Sequence, residues 1–213
     1  MEEEPHTLGL ALGGGAFRGT AHLGVLKALE EEGLRPGFLC GTSAGAMAAA
    51  FYAFGMSPEE IRNIARNLRW LKATNLTFSK LGLLSNNEIG KFIEKYLGDV
   101  LIEDSSIPLA IVAADISTGE KVVFKTGSLA DAIMASTCIP GVFMPAKING
   151  RMLVDGAIVE NVPVKVLKEM GAKVCVGVDL GSGGYRQPES LVEVLLNAFS
   201  IAIDRTIHHQ RDQ

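Results

Sequence analysis

Apolar positions in this chain follow two patterns that alternate along it: short unbroken runs, and stripes spaced three or four residues apart. Residues 7–12 form an apolar run closed by Gly13-Gly14-Gly15, which predicts a first, buried strand. Over residues 18–32, Ala21, Leu23, Val25, Leu26 and Leu29 mark one helical face, and Gly33 is placed to end the helix. The run 38–40 predicts a second strand, and the small-residue stretch 46–54 a buried helix. Two strands joined by a helical crossover are expected to be parallel neighbours. Their glycine-rich and serine-bearing turns then lie side by side at the carboxyl edge of a sheet, where open α/β sheets bind ligands.

The pattern continues in the same manner. Ser57-Pro58-Glu59-Glu60 combines an N-cap, a proline in the first helical turn and a capping-box glutamate, and predicts a helix to about residue 69. Ser85-Asn86-Asn87-Glu88 repeats the signature for a helix to about residue 97. Residues 70–84 between them are rich in large apolar side chains without a clean period. They read either as a loop packed onto the domain or as a flap whose apolar lip faces lipid. Residues 107–116 predict a strongly apolar strand with an antiparallel partner at 121–125. Ser128 is placed to cap a helix over 129–136, and Asn149-Gly150 to turn a hairpin between 144–148 and 151–154. Asp155-Gly156-Ala157 closes that hairpin. A helix over 163–170 ends at Gly171, 173–180 reads as another buried strand, 181–184 as a flexible loop, and 190–209 as a terminal amphipathic helix. The expected fold class is α/β, a mainly parallel central sheet between helices.

Composition narrows the picture. With 213 residues, 47% hydrophobic and 21% charged, the chain fits one globular domain with a substantial core. Its net charge of −4 carries no nucleic-acid footprint. The start, Met1-Glu2-Glu3-Glu4-Pro5, is acidic where a secretory signal is basic and then apolar. The longest nearly apolar run, 44–56, is too short to span a bilayer. Cys40, Cys138 and Cys175 are odd in number and lack metal-ligand spacing, so no metal or disulfide is expected and a reducing, cytoplasmic compartment is.

Candidate chemistry centres on Gly41-Thr42-Ser43-Ala44-Gly45. Gly-x-Ser-x-Gly between a strand and a helix describes a nucleophile elbow, with Gly41 and Gly45 allowing the sharp turn. The plain alternative is a glycine-rich turn with a serine N-cap. An attacking serine needs a base and donors for the oxyanion. Gly13, Gly14, Gly15 and Ala16, followed by Arg18, offer unpaired N–H groups at the neighbouring turn. A phosphate loop is the competing reading. A Walker loop needs lysine after Gly19, where this chain has Thr20, and a dinucleotide fingerprint needs glycine where it has Arg18. Two bases stay open: Asp155 alone, or His208 or His209 in a triad with Asp155, which keeps the chain order Ser, Asp, His. His6 and His22 read as surface or packed histidines.

Taken in order, the glycine-rich turn with Arg18, Gly41–Gly45, the segment Ala135-Ser136-Thr137-Cys138-Ile139-Pro140-Gly141-Val142-Phe143 and Asp155-Gly156-Ala157 resemble the signature of the patatin-like phospholipases. The resemblance covers about residues 8–180. It implies a single three-layer α/β/α domain over 1–213, in a family whose members often continue further. It also implies a cofactor-free Ser–Asp dyad that cleaves fatty-acyl esters, phospholipids included. Ser43 matches the nucleophile, Asp155 the dyad aspartate, and Gly13 to Ala16 with Arg18 the oxyanion site, although Ala16 stands where many members have a further glycine. The substrate implied is a lipid or fatty-acyl ester, reached by peripheral contact with a membrane. A domain that binds acyl chains or a protein partner without turnover is the reading from another class.

Overall fold

The computed structural model describes residues 7–66, 85–181 and 187–211. The expectations for 70–84 and for 182–184 fall outside these residues.

Among the described residues seven strands form one mixed sheet: β1 (Leu8–Leu12), β2 (Phe38–Thr42), β3 (Leu109–Asp115), β4 (Lys121–Phe124), β5 (Ala146–Ile148), β6 (Arg151–Asp155) and β7 (Val174–Val178). Pairing runs β5-β6-β3-β2-β1-β7, with β4 also on β3. The strands β7, β1, β2 and β3 are parallel, and β4, β5 and β6 add antiparallel pairs. Between them lie α1 (Ala21–Glu31), α2 (Ala44–Ala53), α3 (Pro58–Arg66), α4 (Asn87–Leu97), α5 (Leu129–Ser136), α6 (Val164–Met170) and α7 (Leu191–Arg211).

Alternation along the parallel strands sorts the two faces. Leu10, Leu12, Leu39, Leu109 and Ile111 point into the larger core with α1–α5. Ala11, Cys40, Ala110 and Val112 point the other way, against Val166 and Leu167 of α6. Strands buried on both faces cannot alternate apolar with polar, which is why these segments read as continuous apolar runs. Helix α2 is apolar all round because it is buried all round.

Local signals act as their chemistry requires. Glu60 accepts from Ser57 N–H at 2.8 Å while Ser57 Oγ accepts from Glu60 N–H, a complete capping box. Ser128 Oγ accepts from Asp131 N–H. Asn149 and Gly150 turn the hairpin with φ of 50° and 77°.

One expectation is corrected. Strand β7 was expected to be buried, yet Val174 and Val176 are 56% and 40% exposed. It ends the sheet with β1 as its one partner among the described residues, and of its side chains on the Leu10–Leu12 face only Val178 packs against that core. A continuous apolar run does not distinguish a central strand from an edge strand.

Candidate active site

The register of β3 brings two chain-distant turns together. β4 pairs with residues 111–114 and so takes one edge of β3. β2 pairs with 109–112 and antiparallel β6 with 113–115, so they occupy successive stretches of the other edge. They approach from opposite directions. Thr42 faces Val112, and Asp155 faces the next residue, Ala113. Ser43, one step beyond Thr42, therefore meets Asp155 at the junction.

Ser43 sits at φ 55°, ψ −122°, a conformation that strains a non-glycine residue. Its N–H donates to Ser136 Oγ at 2.8 Å, and Ser136 Oγ donates in turn to the Val112 carbonyl at 2.7 Å. Helix α2 starts at the next residue, so its N-terminal partial charge faces the serine. The turn requires Gly45, because a Cβ there would lie 2.0 Å from the Leu12 carbonyl oxygen. Gly156 is required for a parallel reason: its Cβ would lie 2.4 Å from the Val112 carbonyl oxygen, so only glycine lets the chain leave β6 beside β3.

Asp155 is 1% exposed. Its Oδ1 accepts from Ala157 N–H at 3.0 Å, while Oδ2 is buried and completes no hydrogen bond. Burial pushes its pKa up to about 7, against smaller opposing effects of the Ser43 side chain and the Ala157 N–H. The neighbouring serine hydroxyl is thus close enough to favour the carboxylate without satisfying Oδ2. This raised value is the one a general base at neutral pH needs.

The glycine turn differs from expectation at two positions. Gly13 N–H donates to the Val178 carbonyl at 3.0 Å, and Gly14 N–H to Asn161 Oδ1 at 2.9 Å. The turn is therefore not a row of unpaired donors. Gly15 N–H has no partner among the described residues, and Ala16 opens a short 3-10 helix, Ala16–Thr20. Arg18 lines the cavity in front of Ser43, with Nη1 buried and unpartnered. That cavity has a volume of about 60 Å³, and Leu196, Phe199 and Ile203 of α7 form its apolar wall. His208 and His209 belong to α7, but their side chains lie outside the described residues.

Three residues of the site have contacts that the sequence reading did not give them; His22, read there as surface or packed, is the packed one. His22 is fully buried and its Nε2 lies 2.7 Å from the Gly13 carbonyl oxygen, so Nε2 carries the proton and fixes the tautomer. Burial lowers its pKa, opposed by that bond. Ser136 supports the elbow, and Asn161 holds Gly14. Only Ser136 lay inside a segment singled out from the sequence, and there it carried no role of its own. No local pattern distinguishes a serine in an apolar helix, or an asparagine before Val-Pro, from an ordinary one.

A family model described as "Patatin-like phospholipase" matches residues 10–168. The chain is 34% identical over 187 residues to the human patatin-like phospholipase domain-containing protein 6, covering 83% of this chain and 14% of that protein. It is 32% identical over 204 residues to lysophospholipase NTE1 of Eremothecium gossypii, covering 93% of this chain and 13% of the relative. An uncharacterised NTE family protein of Mycobacterium bovis is 36% identical over 174 residues, 80% of this chain and 48% of its own length. The chain thus spans about half of one relative and a small part of the others. Among solved structures, VipD from Legionella pneumophila matches with a TM-score of 0.60 at 18% identity, over 75% of this chain and 47% of that one, a likeness of fold.

Proposed function

The chain belongs to the patatin-like phospholipase family, and from that premise we propose that it is a serine acyl hydrolase cleaving fatty-acyl esters of phospholipids or related lipids through a Ser43–Asp155 dyad. The register that sets Thr42 and Asp155 against consecutive residues of β3, and so brings Ser43 to Asp155, carries this reading. Asp155 accepts the Ser43 proton as Oγ attacks the ester carbonyl carbon. The carbonyl oxygen takes up the electron pair and is stabilised by N–H groups at Gly15 and Ala16, with the Arg18 charge nearby. Collapse breaks the ester bond, and Asp155 returns the proton to the leaving alcohol. Water, deprotonated by Asp155, then attacks the acyl-enzyme and releases the fatty acid and Ser43.

Among the described residues no helix is long and apolar enough to cross a membrane, so the substrate is reached by peripheral contact in this reading. The test is hydrolysis of p-nitrophenyl esters and of lysophospholipid by the wild type, Ser43→Ala and Asp155→Ala. Both variants are expected to be folded and inactive. Turnover surviving Ser43→Ala would sink the mechanism.

A further inference from the structure

Asn161 is 3% exposed, and the residue before it is firmly held. The preceding residue, Glu160, donates its N–H to the Gly156 carbonyl, accepts at its own carbonyl from Thr42 Oγ1 and pairs with Lys121 Nζ at 2.6 Å. The side chain of Asn161 reaches across to the glycine turn, where Oδ1 accepts from Gly14 N–H at 2.9 Å. Because a backbone N–H can only donate, the atom facing it must be the amide oxygen, and Nδ2 must point the other way.

Asn161 lines the reaction cavity together with Ser43, Gly15 and Asp155, so the amide edge away from Gly14 is placed to face it. Nδ2 donates to no described residue, yet it is not among the buried unpartnered atoms, as Asp155 Oδ2 and Arg18 Nη1 are. Lining the cavity, Asn161 has this donor left for what the cavity holds. A point beside Gly14 lies 2.8 Å from Asn161 Oδ1 and 3.2 Å from Ser43 Cβ, so the amide stands next to the nucleophile. The same bond removes Gly14 N–H from any oxyanion site and replaces it with a side-chain donor.

Resting on the dyad reading, we propose that Asn161 is a further catalytic residue whose Nδ2–H group donates to the developing oxyanion alongside Gly15 N–H. An amide locked by its own oxygen cannot turn away and needs no reorganisation as charge develops, the condition under which such donors contribute most.

Two variants test this on the whole chain. Asn161→Ala removes donor and acceptor; Asn161→Asp keeps an acceptor for Gly14 N–H and removes the donor. With p-nitrophenyl butyrate, and with rates compared on each variant's own pH plateau, both are expected to lose about 10²–10³-fold in kcat. KM should stay within about threefold, the signature of an interaction made only in the transition state. Near-wild-type kcat in Asn161→Asp would overturn the proposal, whatever the alanine variant does, because Asn161 would then only position Gly14. Should Asn161→Ala fail to fold, the aspartate variant carries the test alone. A fluorophosphonate label separates the two readings: an unlabelled Ser43 in the wild type fails the dyad itself, whereas a labelled Ser43 with fast Asn161→Asp turnover fails only the present proposal.

Discussion

Ser136 stands directly behind Ser43, its Oγ accepting from Ser43 N–H at 2.8 Å and donating to the Val112 carbonyl at 2.7 Å. One hydroxyl thus ties the strained Ser43 turn to the strand that also registers Asp155. Ser136→Ala leaves both backbone groups without this partner in a fully buried place. Chemical unfolding should show a loss of about 1–3 kcal/mol. The kcat should fall as well, because the serine conformation at φ 55° loses its main restraint. Unchanged stability would mean that water replaces the hydroxyl.

Much of this was legible in the sequence, for a physical reason. The serine turn, the Ser57–Glu60 capping box and the Asn-Gly turn are local, so the pattern shows; the box expected at Ser85–Glu88 does not form, and Asn86 starts α4 without a side-chain cap bond. The buried strands were legible because burial on both faces forces an unbroken apolar run. What stayed hidden is tertiary. That β2 and β6 share one edge of β3 depends on β4 taking the other. That Gly14 N–H is occupied depends on Asn161, 147 residues away. Strand β7 was misjudged because an edge and a centre look alike until neighbours are counted.

Close approach at the elbow gives a paired prediction. Gly45→Ala would drive a Cβ to 2.0 Å from the Leu12 carbonyl oxygen, backbone that cannot step aside within the sheet. The cost should reach the upper end of the about 1–3 kcal/mol typical of overpacking. Gly24, inside α1, has nothing within 4 Å of its Cβ position. Gly24→Ala should therefore stabilise by up to about 1 kcal/mol through helix propensity. Thermal unfolding of the two variants should move in opposite directions.

Acyl-chain preference should be governed by α7. The cavity before Ser43 is small, about 60 Å³, and tight for an acyl chain. Phe199 lines it from α7, a helix outside the residues matched by the family model. No described α7 side chain is fully buried, so the helix can yield at modest cost. Phe199→Ala should raise kcat/KM for octanoyl over butyryl p-nitrophenyl esters by about tenfold, the scale set by a methylene or two in an apolar pocket. An unaltered chain-length profile would place the acyl chain elsewhere.

The buried carboxyl at Asp155 ties activity and stability to pH with opposite signs. As the base it must be ionised, so kcat/KM should climb about tenfold per pH unit up to a bend near its pKa of about 7 and level off above it. For folding, the native pKa lies above the ordinary carboxylate value of 3.8, so the native state binds the proton more tightly than the unfolded chain. Its contribution to stability is therefore fully present below pH 3.8 and is lost as pH rises to about 7. In the proposed reading the ionised carboxylate is held against this cost, at most about 4 kcal/mol, because the dyad uses it. Asp155→Asn, which keeps an acceptor for Ala157 N–H, removes the titration. It should be more stable than the wild type at pH 8, with the difference shrinking toward pH 4, while turnover disappears at every pH. Denaturant unfolding of both proteins across that range checks the sign. A wild type that gains stability relative to the variant as pH rises would show that Asp155 is held as a stabilised carboxylate, and would leave the dyad without a tuned base.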